Sequence, residues 1–212
     1  MTRPALPVVL RPATADDVDA LLALVQSAYR GASSRAGWTS EADLLDGTRT
    51  TAELLAATVA DPAVTVLVAH AAPSTGDRRS HEDPDAHRAD PPPFGDHREL
   101  VSPGAARLEG CAAVTPRGPV AEFGTFAVQP TRQGTGLGST LLAAAEAHAR
   151  AHGASTMEMS VISLRTELIA FYRRRGYVDT GRSAPFPHGD ERYGRPRRDD
   201  LEFAVLAKPL TV

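Results

Sequence analysis

A glycine-rich turn at residues 133–138 constrains this sequence more than any other stretch. The run Val120–Val128 before the turn has β character, and the Ala/Leu-rich stretch after it reaches Gly153. A turn between a strand and a helix exposes unpaired backbone N–H groups at the helix N-terminus, which suit a phosphate. Glycines at 134, 136 and 138 remove the Cβ atoms that would keep a phosphate away from the backbone. The turn therefore predicts a site for a phosphate-bearing ligand.

The spacing of these glycines distinguishes between known phosphate-binding loops. The loop of nucleotide triphosphatases requires a Gly-Lys pair, and the sequence has none. The dinucleotide fingerprint is Gly-x-Gly-x-x-Gly, whereas here the glycines follow Gly-x-Gly-x-Gly. A third pattern, Gln/Arg-x-x-Gly-x-Gly/Ala, fits from Gln133 to Gly138. A glycine turn without a ligand stays open as the alternative at this point.

Length and composition limit the class of protein. The 212 residues suit one domain, which we assign to residues 1–212, and 42% of them are hydrophobic. A net charge of −3 gives no electrostatic case for nucleic acid as a partner. No N-terminal signal and no run of about 20 apolar residues is present, so we expect a cytoplasmic protein without a membrane partner. The single cysteine, Cys111, is expected to be a buried core thiol.

Residues 73–106 interrupt the pattern of apolar residues. This stretch contains six of the seventeen prolines and three of the histidines. We predict a disordered or loop insertion within the single domain. The spacing of His81, His87 and His97 follows no helix or strand face, so we predict no metal site there.

Hydrophobic periodicity and breaker residues predict the order β-α-α-β-β-β-α-β-α-β-β. A crossover helix between the strands ending at Val128 and Ile162 makes those two strands parallel, and they should splay beside the glycine turn. The predicted elements are strand 8–12, helix 15–30, helix 51–60, strands 64–70, 108–114 and 120–128, helix 137–152, strand 156–162, helix 166–175, and strands from 177 and over 201–207.

A second motif follows the glycine turn by about one helix and one strand. The residues from Glu167 to Tyr177 contain an alanine, apolar residues, Tyr172, three arginines, Gly176 and an aromatic residue. With this element order, the two motifs resemble the GNAT N-acetyltransferase superfamily over nearly the whole chain. The resemblance implies an α/β (α+β) fold: a mixed, mostly antiparallel sheet of six to seven strands flanked by about four helices.

The resemblance also implies acetyl-CoA as the acetyl donor and direct attack by an amine. In the family a backbone N–H at the end of the fourth strand polarises the thioester, and this position is Val128. Arg132 is expected to add charge for the pyrophosphate. Many relatives carry an asparagine where this sequence has Arg165, which puts that contact to the CoA arm in doubt. The residues expected to bind acetyl-CoA are Ala127, Val128, Arg132, Gln133, Gly134, Thr135, Gly136, Leu137, Gly138, Ser139 and Arg165.

The resemblance assigns two catalytic roles. Tyr172 matches the tyrosine that protonates the departing thiolate, and its alternative role is a core aromatic. Glu122, six residues before Val128, is the candidate base, because period-two geometry puts both side chains on one sheet face. A strand-end carboxylate without a catalytic role is the alternative for Glu122. Glu158, Glu41 and water are the other candidate bases.

The acceptor pocket of this family lies beside the first helices and their loop. Tyr29, Trp38 and Glu41 occupy that region, and Glu41 is expected to attract a cationic amine. Trp38 either walls a cleft or plugs the core. We expect a primary amine of a small molecule as acceptor, and a protein N-acetyltransferase or a non-catalytic CoA-binding sensor or regulatory protein as alternatives. A homodimer is left open.

Overall fold

The computed structural model describes residues 8–71, 107–190 and 193–210. The predicted insertion at 73–106, with its three histidines, lies outside these residues. The strands are β1 (Val8–Pro12), β2 (Leu45–Asp46), β3 (Thr65–Ala71), β4 (Leu108–Arg117), β5 (Val120–Val128), β6 (Thr156–Ile162), β7 (Val178–Pro185), β8 (Arg195–Pro196) and β9 (Glu202–Pro209). The helices are α1 (Val18–Tyr29), α2 (Gly31–Ser34), α3 (Ala52–Ala60), α4 (Leu137–Ala151) and α5 (Thr166–Arg173), with 3-10 turns at Ala15–Asp17 and Pro130–Arg132.

Seven of the strands form one sheet in the order β1-β3-β4-β5-β6-β9-β7, and β2 and β8 form a separate pair. All neighbours in the large sheet are antiparallel except β5 and β6. The predicted mixed and mostly antiparallel sheet is therefore confirmed. None of the described helices is long and apolar enough to cross a membrane.

Helix ends follow local sequence signals. The Thr51 side chain accepts a hydrogen bond from the Leu54 N–H at 3.3 Å and caps α3. Helix α5 begins at Thr166, so Leu164 lies in the turn before the helix and is 38% exposed.

The two faces of the sheet carry separate cores. One packs against α4 and α5 and includes Leu142, Met157 and Tyr172. The other packs against α1 and α3 and includes Leu24 and Cys111. Burial raises the pKa of the Cys111 thiol to about 12, so Cys111 is an inert core residue as expected.

A β-bulge in β5 changes which face its residues occupy. Ala113 lies opposite Gly124 while Cys111 lies opposite Ala127, so β5 contains one residue more than β4 between these pairs. Thr125 in this bulge has φ +41°. Val128 consequently packs with residues of α4, whereas Ala127 packs on the α1 face.

The bulge overturns the geometric basis of one prediction. Phe123 faces the α4 core, so its neighbour Glu122 faces the α1 side, opposite to Val128. The expectation that Glu122 and Val128 share a face was therefore wrong. Side chains alternate between the two faces of a strand, and an extra residue inserted between two positions reverses which face the later one occupies.

Candidate active site

Strands β5 and β6 separate beside the glycine turn. Their parallel pairing ends where Phe123 lies opposite Met159, although β5 continues to Val128. On the other side of β5, the Gln129 N–H donates to the Glu109 carbonyl at 2.9 Å. Val128 therefore occupies a non-hydrogen-bonded position opposite Gly110, and its N–H points away from β4 into the gap.

The glycine turn leaves consecutive backbone donors without partners. Gly134 and Gly136 have φ values of +77° and +95°, a region that residues with a Cβ rarely adopt. Within the described chain, the N–H groups of 134–138 have no hydrogen-bond acceptor, whereas those of Gln133, Ser139 and Thr140 have one. A Cβ added at Gly134 or Gly136 would meet no protein atom within 4 Å. The turn therefore forms an open cradle of donors at the N-terminus of α4, which favours an anion.

A cavity of about 420 Å³ begins at this cradle. The glycine turn and the end of β5 form one side, and α5 forms the other. Its lining includes eight of the residues expected to bind the cofactor: Ala127, Val128, Gln133, Gly134, Gly136, Gly138, Ser139 and Arg165. Thr135 and Leu137 belong to the cradle itself.

Two arginines that directly follow α5 also contribute to the wall of this cavity. Arg174 and Arg175 both line it. The Arg175 guanidinium lies 3.5 Å from the centre of the Phe171 ring and donates to the Ser139 hydroxyl and the Phe171 carbonyl. Both arginines belong to the motif from Glu167 to Tyr177, which was an available signal, but they were not among the residues expected to bind the cofactor.

Arg132 does not occupy the position that the sequence suggested. Its Nε lies 2.8 Å from the Glu109 carboxylate, and Arg132 is not among the residues that line the cavity. Its charge is balanced by Glu109 instead of facing the cradle. Arg174 and Arg175, rather than Arg132, are the arginines at this end of the cavity wall.

A second cavity of about 90 Å³ lies in the gap between β5 and β6. It shares four wall residues with the larger one: Tyr29, Phe126, Arg165 and Leu168. The Tyr29 hydroxyl donates to the Phe126 carbonyl at 2.7 Å. Because the backbone of a strand alternates, the Phe126 carbonyl and the Val128 N–H point to the same edge of β5. Tyr29 therefore lies at the junction of the two cavities.

Tyr172 lines the smaller cavity and is 3% exposed. Its ring packs against Phe171, with centroids 5.3 Å apart, and against Phe126 at 6.3 Å. In the described part of the chain, its hydroxyl makes no hydrogen bond. Burial, reinforced by nearby Tyr29, raises the pKa of Tyr172 above its usual value, so the phenol stays protonated at neutral pH.

Glu41 is buried and surrounded by arginines. Its carboxylate accepts hydrogen bonds from Arg30 and Arg165, each at 2.8 Å, and lies 3.9 Å from the Arg49 Nε. Burial alone would raise the pKa of Glu41, but Arg165, Arg49 and Arg30 lower it below its usual value. The Glu41 carboxylate is therefore held by arginines of the chain, which leaves it without an excess of negative charge for a cationic amine.

Arg165 also binds Thr39 through its second guanidinium nitrogen at 3.0 Å. Both terminal nitrogens of Arg165 are thus engaged by the segment after α2. The side chain is 8% exposed and lines both cavities. Arg165 therefore contacts the loop that carries Trp38 and Glu41.

Trp38 forms part of the wall of the larger cavity and is 43% exposed, so it does not plug the core. Its ring lies 5.7 Å from that of Phe171. The Trp38 backbone N–H donates to the Gln133 side-chain oxygen at 3.0 Å, while the Gln133 Nε2 donates to the Val128 carbonyl at 3.3 Å. Gln133 therefore links the loop of Trp38 to the glycine turn.

The remaining carboxylates considered as bases lie away from both cavities. Glu122 is 60% exposed at its side chain and pairs with Arg117 at 3.0 Å. Glu158 pairs with Arg182. Among the described residues, Glu41 is the one carboxylate that lines the smaller cavity.

Comparison with known proteins agrees with this architecture. The model of the acetyltransferase (GNAT) family matches residues 68–177, which is just over half of the chain. The chain therefore belongs to the GNAT acetyltransferase family. An IAA acetyltransferase of Azospirillum brasilense is 33% identical over 93 residues, which cover 43% of this chain and 61% of that relative.

Solved structures show the same fold at low sequence identity. The ribosomal-protein-S18-alanine N-acetyltransferase of Escherichia coli has a TM-score of 0.60 and 13% identity, covering 97% of this chain and 96% of that one. The Salmonella typhimurium protein yncA, solved with its cofactor acetyl-CoA, has a TM-score of 0.59 and 18% identity. The match covers 97% of this chain and 95% of yncA. Nourseothricin acetyltransferase has a TM-score of 0.59 and 15% identity, covering 96% and 99%.

Proposed function

We propose that the protein transfers an acetyl group from acetyl-CoA to a primary amine of a small molecule by direct attack. This proposal rests on the gap between β5 and β6. The Val128 N–H is unpaired there, and Val128 lines the same cavity as the cradle of free N–H groups. A donor with a phosphate at one end and a reactive carbonyl at the other suits these two features together.

The cavity next to the cradle has the chemistry to hold acetyl-CoA. The N–H groups of 134–138 would donate hydrogen bonds to the pyrophosphate, and Arg174 and Arg175 would add positive charge beside it. Ala127 and Val128, at the end of β5, would contact the pantetheine arm. When bound, acetyl-CoA supplies a thioester carbonyl that an amine attacks and a thiolate that leaves.

Two groups of the chain would act on the reaction in the gap. The Val128 N–H would donate to the carbonyl oxygen, on which negative charge develops as the amine attacks. The protonated Tyr172 hydroxyl, free of other acceptors, would donate its proton to the departing sulfur. Tyr29 would hold the backbone of β5 in place through Phe126.

The acceptor amine must lose a proton before it attacks. Glu41 is a poor base, because its pKa is lowered and its oxygens are held by arginines. Glu122 is exposed and paired with Arg117. We therefore propose that water in the smaller cavity, rather than a carboxylate, accepts this proton. We take a small molecule as the acceptor, and its amine end would enter this cavity of about 90 Å³.

Ligand binding and turnover test this function separately. Acetyl-CoA should raise the melting temperature of the purified protein, and release of free thiol should depend on an amine from a panel of small amines and peptide N-termini. No stabilisation at millimolar acetyl-CoA would refute the proposal. Stabilisation without thiol release on any amine would instead indicate a CoA-binding sensor, and turnover of peptides alone would indicate a protein N-acetyltransferase.

A further inference from the structure

The smaller cavity carries more positive than negative charge. Arg49, Arg165 and Glu41 line it, and Arg30 lies behind Glu41 at 2.8 Å. Three guanidinium groups thus surround one carboxylate. Neither tyrosine in the wall offsets this excess, because the pKa values of Tyr29 and Tyr172 are both raised and the phenols stay neutral.

The four charged groups differ in how many of their donor or acceptor atoms have a hydrogen-bond partner. Arg165 donates to Glu41 and Thr39, and Arg30 donates to Glu41 and to the Tyr193 carbonyl. The guanidinium of Arg49 has no hydrogen-bond partner among the described residues, and its one ionic contact is the 3.9 Å approach to Glu41. Its side chain is 29% exposed. The Nε atoms of Arg30 and Arg165 are also without partners, but they are buried. Among the described residues, Arg49 is therefore the cation in this wall whose guanidinium makes no hydrogen bond at all.

The position of Arg49 is fixed by its neighbours. The Gln26 side chain of α1 accepts from the Arg49 N–H at 3.4 Å and donates to the Thr50 carbonyl at 3.0 Å. The Arg49 guanidinium lies over the Tyr29 ring, 5.2 Å from its centre. These contacts hold the side chain at the cavity near the proposed reaction centre, rather than leaving it free in solvent.

From this arrangement we infer that the acceptor amine carries a carboxylate, which Arg49 binds. The inference rests on the proposed function and names the chemical class of its acceptor. A guanidinium with free donors binds a carboxylate through two parallel hydrogen bonds, and the low-dielectric wall strengthens that interaction. The same excess of positive charge disfavours an acceptor whose only charge is its ammonium group.

Matched pairs of substrates test this inference. We choose an α-, a β- and a γ-amino acid, namely phenylalanine, β-alanine and 4-aminobutyrate, each with its own carboxamide. At neutral pH the carboxamide of an α-amino acid has the larger fraction of free amine, so a preference for its carboxylate would run against the protonation equilibrium of the amine. We expect at least one pair to show a kcat/KM at least tenfold higher for the carboxylate.

Variants of Arg49 separate binding of the anion from folding. Arg49→Gln should raise KM for the preferred carboxylate at least tenfold, while the kcat/KM of its carboxamide and the Kd of acetyl-CoA stay within twofold. Arg49→Lys should restore part of the preference, because it keeps the charge without the paired donors. Arg35→Gln is the matched control, since Arg35 is 56% exposed and lies outside both catalytic cavities.

Three results would overturn the inference. The carboxamides could react as well as the carboxylates in every pair, or Arg49→Gln could lower turnover of both members alike. The third is that no carboxylate is turned over and none raises the melting temperature of the protein saturated with acetyl-CoA. In each case, stabilisation by acetyl-CoA alone and thiol release with amines that carry no carboxylate would still support the proposed function.

Discussion

The Arg165 guanidinium donates a hydrogen bond at 2.8 Å to the Glu41 carboxylate, 124 residues away in the chain. Both side chains are less than 10% exposed. This contact fastens the loop that follows α2 to the turn that precedes α5, and both segments contribute to the walls of the cavities. A buried ion pair of this kind makes a small net contribution while intact, but removal of one partner leaves an uncompensated charge.

Glu41→Gln should therefore lower the free energy of unfolding by about 3–5 kcal/mol, because Arg165 and Arg30 lose a buried counter-charge. Chemical denaturation at pH 7 measures this change. Glu122→Gln is the matched control, since its exposed pair with Arg117 contributes at most about 1 kcal/mol. Equal effects of the two substitutions would show that the buried cluster does not stabilise the fold.

Tyr172→Phe should lower kcat about 100-fold and leave the Kd of acetyl-CoA unchanged, because it removes a proton donor without changing the shape of the side chain. Steady-state thiol release and calorimetric titration measure the two quantities. Tyr177→Phe is the matched control: Tyr177 is buried beside Tyr172, but its hydroxyl donates to Glu146 and does not face either cavity. A similar loss of kcat in both variants would assign Tyr172 to packing alone.

Gly134→Ala should weaken acetyl-CoA binding at least tenfold, because a Cβ would enter the cradle and strain a residue with φ +77°. The control is Gly118→Ala in the turn between β4 and β5, where φ is +64° and the space is also open. Both substitutions should cost about 1 kcal/mol of stability through strain. Retained affinity in the Gly134 variant, measured by titration calorimetry, would show that the turn does not hold the pyrophosphate.

Glu122→Gln should leave kcat/KM unchanged across pH 6–9, since this side chain is exposed and faces the opposite side of the sheet from Val128. With water as the proton acceptor, the pH profile should follow deprotonation of the free amine. A decrease that is largest at low pH would restore Glu122 as the base.

Asp17 provides a test of pH-dependent stability outside the site. The Arg11 guanidinium donates two hydrogen bonds of 2.7 Å to this carboxylate and lowers its pKa to about 2. A lowered pKa in the folded state stabilises the protein above the pKa of the unfolded chain, and this contribution disappears as the pH falls from about 4 to 2. Asp17→Asn should thus cost about 1–2 kcal/mol at pH 7 and almost nothing near pH 2.

Urea unfolding of the wild type and the Asp17→Asn variant at several pH values measures this difference. Asp43→Asn is the control, because Asp43 is 80% exposed and its pair with Arg35 lies in solvent. A difference between the wild type and the Asp17 variant that stays constant from pH 7 to pH 2 would contradict the role of the Arg11 pair.

Local patterns were sufficient to predict much of the fold. Strands β5 and β6 have the predicted bounds, because each is a continuous run of strand-forming residues between clear breakers. Their parallel pairing followed from the intervening helix α4, and the gap beside the glycine turn followed from that pairing. The two motifs that indicated the family lie on opposite sides of one cavity. Gly136 of the glycine turn and Phe171 of the tyrosine motif both line it.

The partners of the charged side chains could not be predicted in the same way. Arg165 is 124 residues from Glu41 in the chain, and nothing in the local sequence around Glu41, Arg49 or Arg165 indicates that the three meet. The pairing of Arg132 with Glu109 likewise has no signal in the local sequence of either residue. Such contacts depend on how segments pack in three dimensions, whereas periodicity describes only one segment at a time.

The bulge at Thr125 lets one strand serve two different environments. Before the bulge, β5 pairs with both β4 and β6. After the bulge, its register with β4 is offset by one residue, and its pairing with β6 has ended. Deletion of one residue at this position would move Val128 to the α1 face and turn its N–H toward β4. A single residue of chain length thus determines whether the donor at the end of β5 faces the ligand or the sheet.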